Sequence, residues 1–124
     1  MNNFYLYEGL LPSAFVFPHD FLNSLREDGD IGLWWYIAKN KDFSDLCLET
    51  ILEKLPSGRF LIPFAKSNEA DVIACFDGND CTANPRVFNY KGEATLTDMD
   101  WDKSFKLSDF DKWVAIQRKI RDNS

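Results

Sequence analysis

Between Phe60 and Tyr90 three short apolar segments, Phe60–Phe64, Asp71–Phe76 and Arg86–Tyr90, are separated by turn-forming residues, and Glu93–Thr97 reads as a fourth. Branched and aromatic residues of this kind sit best on a half-buried pleated surface, so the middle of the chain is predicted to be a sheet. Lys91-Gly92, between the last two segments, marks a tight hairpin.

Helical spacing appears on both sides of that block. A first helix is predicted from Pro18 to about Glu27, because proline suits an opening turn, Asp20 suits the positive N-terminal end and Gly29 ends it; Phe21, Leu22 and Leu25 face inward. A second runs from about Ser44, as N-cap, to Leu55, with Leu48, Ile51, Leu52 and Leu55 inside. A closing helix from about Asp109 to Arg121 follows a capping box of Ser108 and Asp111, with Phe110, Trp113, Val114, Gln117 and Ile120 at apolar spacing. Before and between them, Phe4–Tyr7 reads as an edge strand and Ile31–Ile37 as an aromatic strand.

These elements give an α+β fold. One domain spans residues 1–124, with a mainly antiparallel central sheet of about four to six strands and helices packed beside it. Eleven Phe, four Trp and four Tyr mean that flat side chains dominate its core.

No apolar run approaches the roughly twenty residues a bilayer-spanning helix needs. The N-terminus lacks the basic start and apolar centre of a secretory signal, so a cytoplasmic location is expected. Cys47, Cys75 and Cys81 form no CxxC pair and read as reduced thiols. With His19 as the only histidine, they lack the spacing of a zinc site.

Catalytic constellations are missing as well. Ser-His-Asp or Cys-His chemistry depends on His19, which falls in a predicted first helical turn, and no pair among the twenty acids is singled out for glycosidase-type work. The alternating carboxylates of Asp98–Asp102 begin like a calcium loop, but its sixth position is Lys103 and its twelfth Asp109. Asp77-Gly78-Asn79-Asp80 reads as a turn in which Gly78 supplies positive φ and the carboxylates sit at the sheet rim. No phosphate-cradling glycine motif and no cofactor is indicated, and the chain reads as a non-enzyme.

Charge is unevenly distributed. Residues 1–66 hold nine acids and six bases, residues 67–102 eight acids and two bases, and residues 103–124 three acids and six bases, giving −3, −6 and +3. An anionic sheet region repels nucleic acid and attracts basic proteins. Each carboxylate alone reads as a solvated turn residue, whereas Asp71, Asp77, Asp80, Asp98 and Asp100 together read as a partner-binding surface. Trp34 and Trp35, being adjacent in a strand, point to opposite faces; either one is exposed as an anchor beside the acids, or both complete the core.

Three runs, Arg59–Lys66, Asp71–Gly78 and Asn84–Phe88, come in an order that resembles the SUKH superfamily, the Smi/Knr-like proteins. Phe17–Leu22, Trp34–Ile37 and Phe110–Ala115 look like that family's opening helix, aromatic strand and closing helix. The resemblance implies an α+β fold and, by analogy with many bacterial members, an immunity protein that binds and neutralises a cognate toxin, often a nuclease. The family's eukaryotic members imply the alternative of a regulatory scaffold that binds a host protein. Neither carries a shared catalytic motif, and the short region before Pro18 departs from longer relatives.

Overall fold

The computed structural model describes residues 4–7, 9–27, 31–55, 58–69, 71–80, 82–91 and 109–123. In chain order it contains helix α1 (His19–Arg26), strand β1 (Trp34–Tyr36), a short 3-10 turn (Ile37–Lys39), helix α2 (Lys41–Lys54), strands β2 (Leu61–Ser67), β3 (Val72–Asp77) and β4 (Val87–Lys91), and helix α3 (Phe110–Asp122). The strands form one sheet in the order β1-β2-β3-β4, antiparallel at every pairing. The α+β expectation therefore holds, with four strands and three α-helices among the described residues. The expected strand Glu93–Thr97 and the hairpin at Gly92 lie outside them.

Both faces of the sheet are covered. Ile62, Ala65, Ala74, Phe76 and Val87 pack in one cluster with Phe21 and Leu25 of α1 and Phe110, Trp113 and Val114 of α3. On the opposite side Leu61, Cys75, Phe88 and Tyr90 pack against Ile51 of α2. The strict alternation of a strand explains the division: Ala74 and Phe76 point to α1 and α3, while Ile73 and Cys75 point to α2.

Pro63 would interrupt the ladder of an inner strand, because it has no N–H to donate. The chain accommodates it with a bulge: Pro63 pairs with Cys75 and Ala65 with Ala74, leaving Phe64 as the extra residue. Phe64 and Ala65 consequently both join the α1/α3 cluster. Tyr7 is tied to the same place, its Oη donating to the carbonyl of Pro63 at 2.6 Å inside the core.

Element ends differ from the sequence reading. Phe4–Tyr7 is not a strand: Tyr5 N bonds across to Ala38 O at 2.9 Å, but Tyr7 turns to φ 57°, which ends extended backbone. The expected strand Ile31–Ile37 shrinks to Trp34–Tyr36, because Gly32 has φ 70° and Ile37 opens the 3-10 turn. A side chain at Gly32 would meet the Gln117 carbonyl oxygen at 2.8 Å, so α3 crosses here on bare backbone.

Helix α2 starts earlier than expected. Its N-cap is Asn40, whose side chain accepts from Phe43 N, and Ser44 lies buried within the helix, donating to Ile37 O at 2.6 Å. Helix α3 is capped by Asp109, which accepts from Lys112 N at 3.0 Å, and Ile120 stands exposed; Ser108 of the expected capping box lies outside the described residues. No helix among the described residues is long and apolar enough to cross a membrane.

Candidate functional site

The carboxylates expected on the sheet rim are divided by the fold. Asp71 is exposed just before β3 and Asp77 ends that strand, so the two stand roughly 20 Å apart at about 3.3 Å per residue. Asp98 and Asp100 lie outside the described residues. Among the described ones, Asp77 and Asp80 come together, and they turn inward.

Asp77 is 0% exposed. Its Oδ2 accepts from Arg86 Nη2 at 2.6 Å and its Oδ1 from Asn79 N at 3.0 Å. Asp80 closes the following loop by accepting from Thr82 N, Thr82 Oγ1 and Arg86 N at 3.1, 2.7 and 3.1 Å. Burial, the largest influence on Asp80, pushes its carboxyl upward, but the Thr82 and Arg86 bonds and the Arg86 charge together hold it below the usual range. Asn79 extends the brace to Gly58 O and Phe60 N, both at 2.9 Å. Gly78 is needed for proximity rather than for positive φ, since an added Cβ would sit 2.9 Å from Phe60 O. Asp77 and Asp80 are therefore braces of the β3–β4 connection, in the turn expected after the strand, with Asp77 buried beneath it rather than open to a partner.

The adjacent tryptophans point to opposite faces, as their place in a strand requires. Trp34 is half-buried against α3, with Nε1 donating to Gln117 Oε1 at 2.9 Å and its ring 5.1 Å from Trp113. Trp35 is half-buried on the other face, its ring 5.3 Å from Phe43 of α2. Exposed His19 has Nδ1 3.4 Å from Asn23 Nδ2. Among the described residues no group of three or more His, Cys, Asp or Glu side chains could hold a metal ion. Cys47 and Cys75 are free and buried; burial pushes the Cys47 thiol up to about 11 and the Cys75 thiol well above its ordinary range.

Two clefts among the described residues are lined by none of the expected acids. The larger, about 700 Å³, lies between the N-terminal segment and α2, with Leu10, Leu48 and Leu52 as apolar lining and Tyr5, Lys41, Asp45 and Glu49 as polar lining. Asp45 receives Tyr5 Oη at 2.5 Å and Lys41 Nζ at 2.8 Å, and that ammonium stands 5.0 Å over the Tyr5 ring. The Lys41 bond, then the Tyr5 bond, hold the Asp45 carboxyl below its ordinary value. Leu10 is 52% exposed, and Leu46 on the same helix is 59% exposed.

The spacing of Asp42, Asp45, Glu49 and Glu53, three or four residues apart, puts four carboxylates along one side of α2. No ion pair holds Asp42, Glu49 or Glu53 among the described residues. That spacing was the sequence signal for this surface. Summing charge over long stretches concealed it.

The smaller cleft, about 400 Å³, lies between α1 and α3 and contains Asp20, Glu27, Asp111 and Arg118. A hydrogen bond that the protonated Asp111 donates to Asp20, then burial, then the Asp20 and Asp109 charges raise the Asp111 carboxyl above its ordinary 3.8. A raised folded value means that the proton favours the folded state. That stability is present below 3.8 and is lost as pH rises through the higher folded value. Asp111→Asn is accordingly expected to be more stable than the parent at pH 7 by a few tenths of a kcal/mol, the exposed site being screened, and to lose that advantage at about pH 3. Paired thermal melts at the two pH values check it, and an advantage that grows on acidification would sink it.

No family model, no curated protein and no solved structure matches this chain.

Proposed function

We propose that the chain is a non-catalytic immunity protein that binds a cognate bacterial toxin domain, a basic nuclease, in the cytoplasm and masks it with an acidic, partly aromatic surface. The observation that supports this reading most directly is the row of Asp42, Asp45, Glu49 and Glu53 on α2 beside a leucine-lined cleft carrying Tyr5. Such a surface has both apolar area to bury and carboxylates to complement a cationic protein. The segments resembling the SUKH superfamily and the α+β architecture that resemblance implies point the same way.

Electrostatics in this reading serve encounter and selectivity, while the cleft supplies the buried contact. The test is association with the toxin encoded beside this gene, followed by stopped-flow mixing at low and high salt. Tight, inhibitory binding is expected, with an association rate that falls roughly 10-fold or more as salt screens the acids. A neighbouring toxin that is neither bound nor inhibited overturns the proposal.

A further inference from the structure

We infer that the cleft between the N-terminal segment and α2 receives an amphipathic, cationic helix of the partner, its apolar side on the leucines and its basic flank along the α2 carboxylates. This rests on the immunity reading for the partner's identity, but its physical basis is the cleft alone. Helix α2 has 14 residues. It therefore forms a straight wall roughly 21 Å long at 1.5 Å per residue, enough to lie beside about four turns of another helix. Leu48 and Leu52, one turn apart, line the cleft from this wall, and Leu10 lines it from the N-terminal segment.

Charge selects the occupant. The α2 acids lie along the direction that such a helix would follow, and of the four only Asp45 has an ion-pair partner among the described residues. Asp45 also shows how a cation is received here. The Lys41 ammonium is held by a carboxylate oxygen while standing over the face of Tyr5, whose hydroxyl fixes the other oxygen. Exposed Leu10 and Leu46 add apolar surface that a wholly polar, extended cationic tail would leave uncovered. A helix with apolar residues at three- and four-residue spacing and lysine or arginine beside them satisfies both features.

The probe is a synthetic 18-residue helix of Leu and Lys at amphipathic spacing, compared by fluorescence anisotropy with a scrambled peptide of the same composition. The ordered peptide is expected to bind at least about 10-fold more tightly, and Leu10→Ser and Glu49→Lys are each expected to weaken it by about 5- to 10-fold. Both changed side chains are exposed, so unchanged thermal melts should accompany the losses. Glu27→Lys makes the same charge change in the α1–α3 cleft and is expected to alter binding by less than about 2-fold, the small effect of a remote charge at moderate salt.

Equal binding of the two peptides, or equal losses from Glu27→Lys and Glu49→Lys, overturns the inference. The toxin separates it from the immunity reading. If the Leu10→Ser/Glu49→Lys double variant neutralises the toxin as well as the parent does, the docking site is wrong and the immunity role stands. If the parent does not bind the toxin, the immunity role fails, while the peptide comparison still decides what the cleft accepts.

Discussion

Asp77→Ala is expected to lower the unfolding free energy by about 2–3 kcal/mol, although a count of surface acids would have classed it as a harmless change. The carboxylate is fully buried, and its removal leaves Arg86 with the longer 3.8 Å pairing to Asp80 and takes away the acceptor of the Asn79 N–H. Arg86 keeps 38% of its side-chain surface in water, which places the effect below that of a wholly buried ion pair. Asp77→Asn, which keeps an acceptor for Asn79 but loses the charge, should cost about half as much. Asp71→Ala, at the exposed start of β3, should stay within about 0.5 kcal/mol. Urea unfolding with unchanged m-values measures all three. A cost below about 0.5 kcal/mol for Asp77→Ala would show that the brace is dispensable.

That expectation governs how binding experiments are read. In the proposed binding assay, a loss at an Asp77 or Asp80 variant would report a disturbed β3–β4 connection, because both carboxylates are occupied by Arg86 and the loop backbone. Charge reversal at Glu49 or Asp42, on the exposed side of α2, tests recognition without that complication.

The central strands were legible because their residue types and punctuation act locally. Val72–Asp77 and Val87–Lys91 fall within a residue or so of the segments read from the sequence. Helix ends were less legible, since several residue types can cap and the choice depends on packing. Ser44 has the chemistry of an N-cap, yet it lies on the buried face of α2 and bonds to Ile37 O, while Asn40 takes the cap. Asp77 is withdrawn from the surface for a tertiary reason. Asp77 and Arg86 are nine residues apart, and their pairing exists only because the β3–β4 connection folds them together. By contrast the α2 acids are a local pattern, readable from helical spacing once α2 itself is recognised.

Phe64→Ala should be the most damaging single truncation, costing about 3–5 kcal/mol and roughly 10–20 °C in Tm. Alternation from Ile62 directs this ring, 1% exposed, into the α1/α3 side of the sheet, and the bulge after Pro63 sets Ala65 beside it. There it stacks on Phe76 with centroids 4.2 Å apart and meets Trp113, Phe21 and Phe110 at 5.0, 5.5 and 5.8 Å. These neighbours come from β3, α1 and α3 and cannot all close on one gap, so most of the vacated volume persists as a cavity. Phe64→Leu keeps much of the volume and should cost about half as much. The two faces of the sheet make the effect directional. Ile51, Leu61, Cys75 and Phe88 pack on the other face, and α2 reaches the Phe64 cluster through Leu48 and the half-buried Leu52, so amide exchange should accelerate more in α1 and α3 than in α2. Uniform acceleration across all three helices would mean that the two faces unfold as one unit; a loss below about 1.5 kcal/mol would mean that the aromatic cluster repacks around the missing ring.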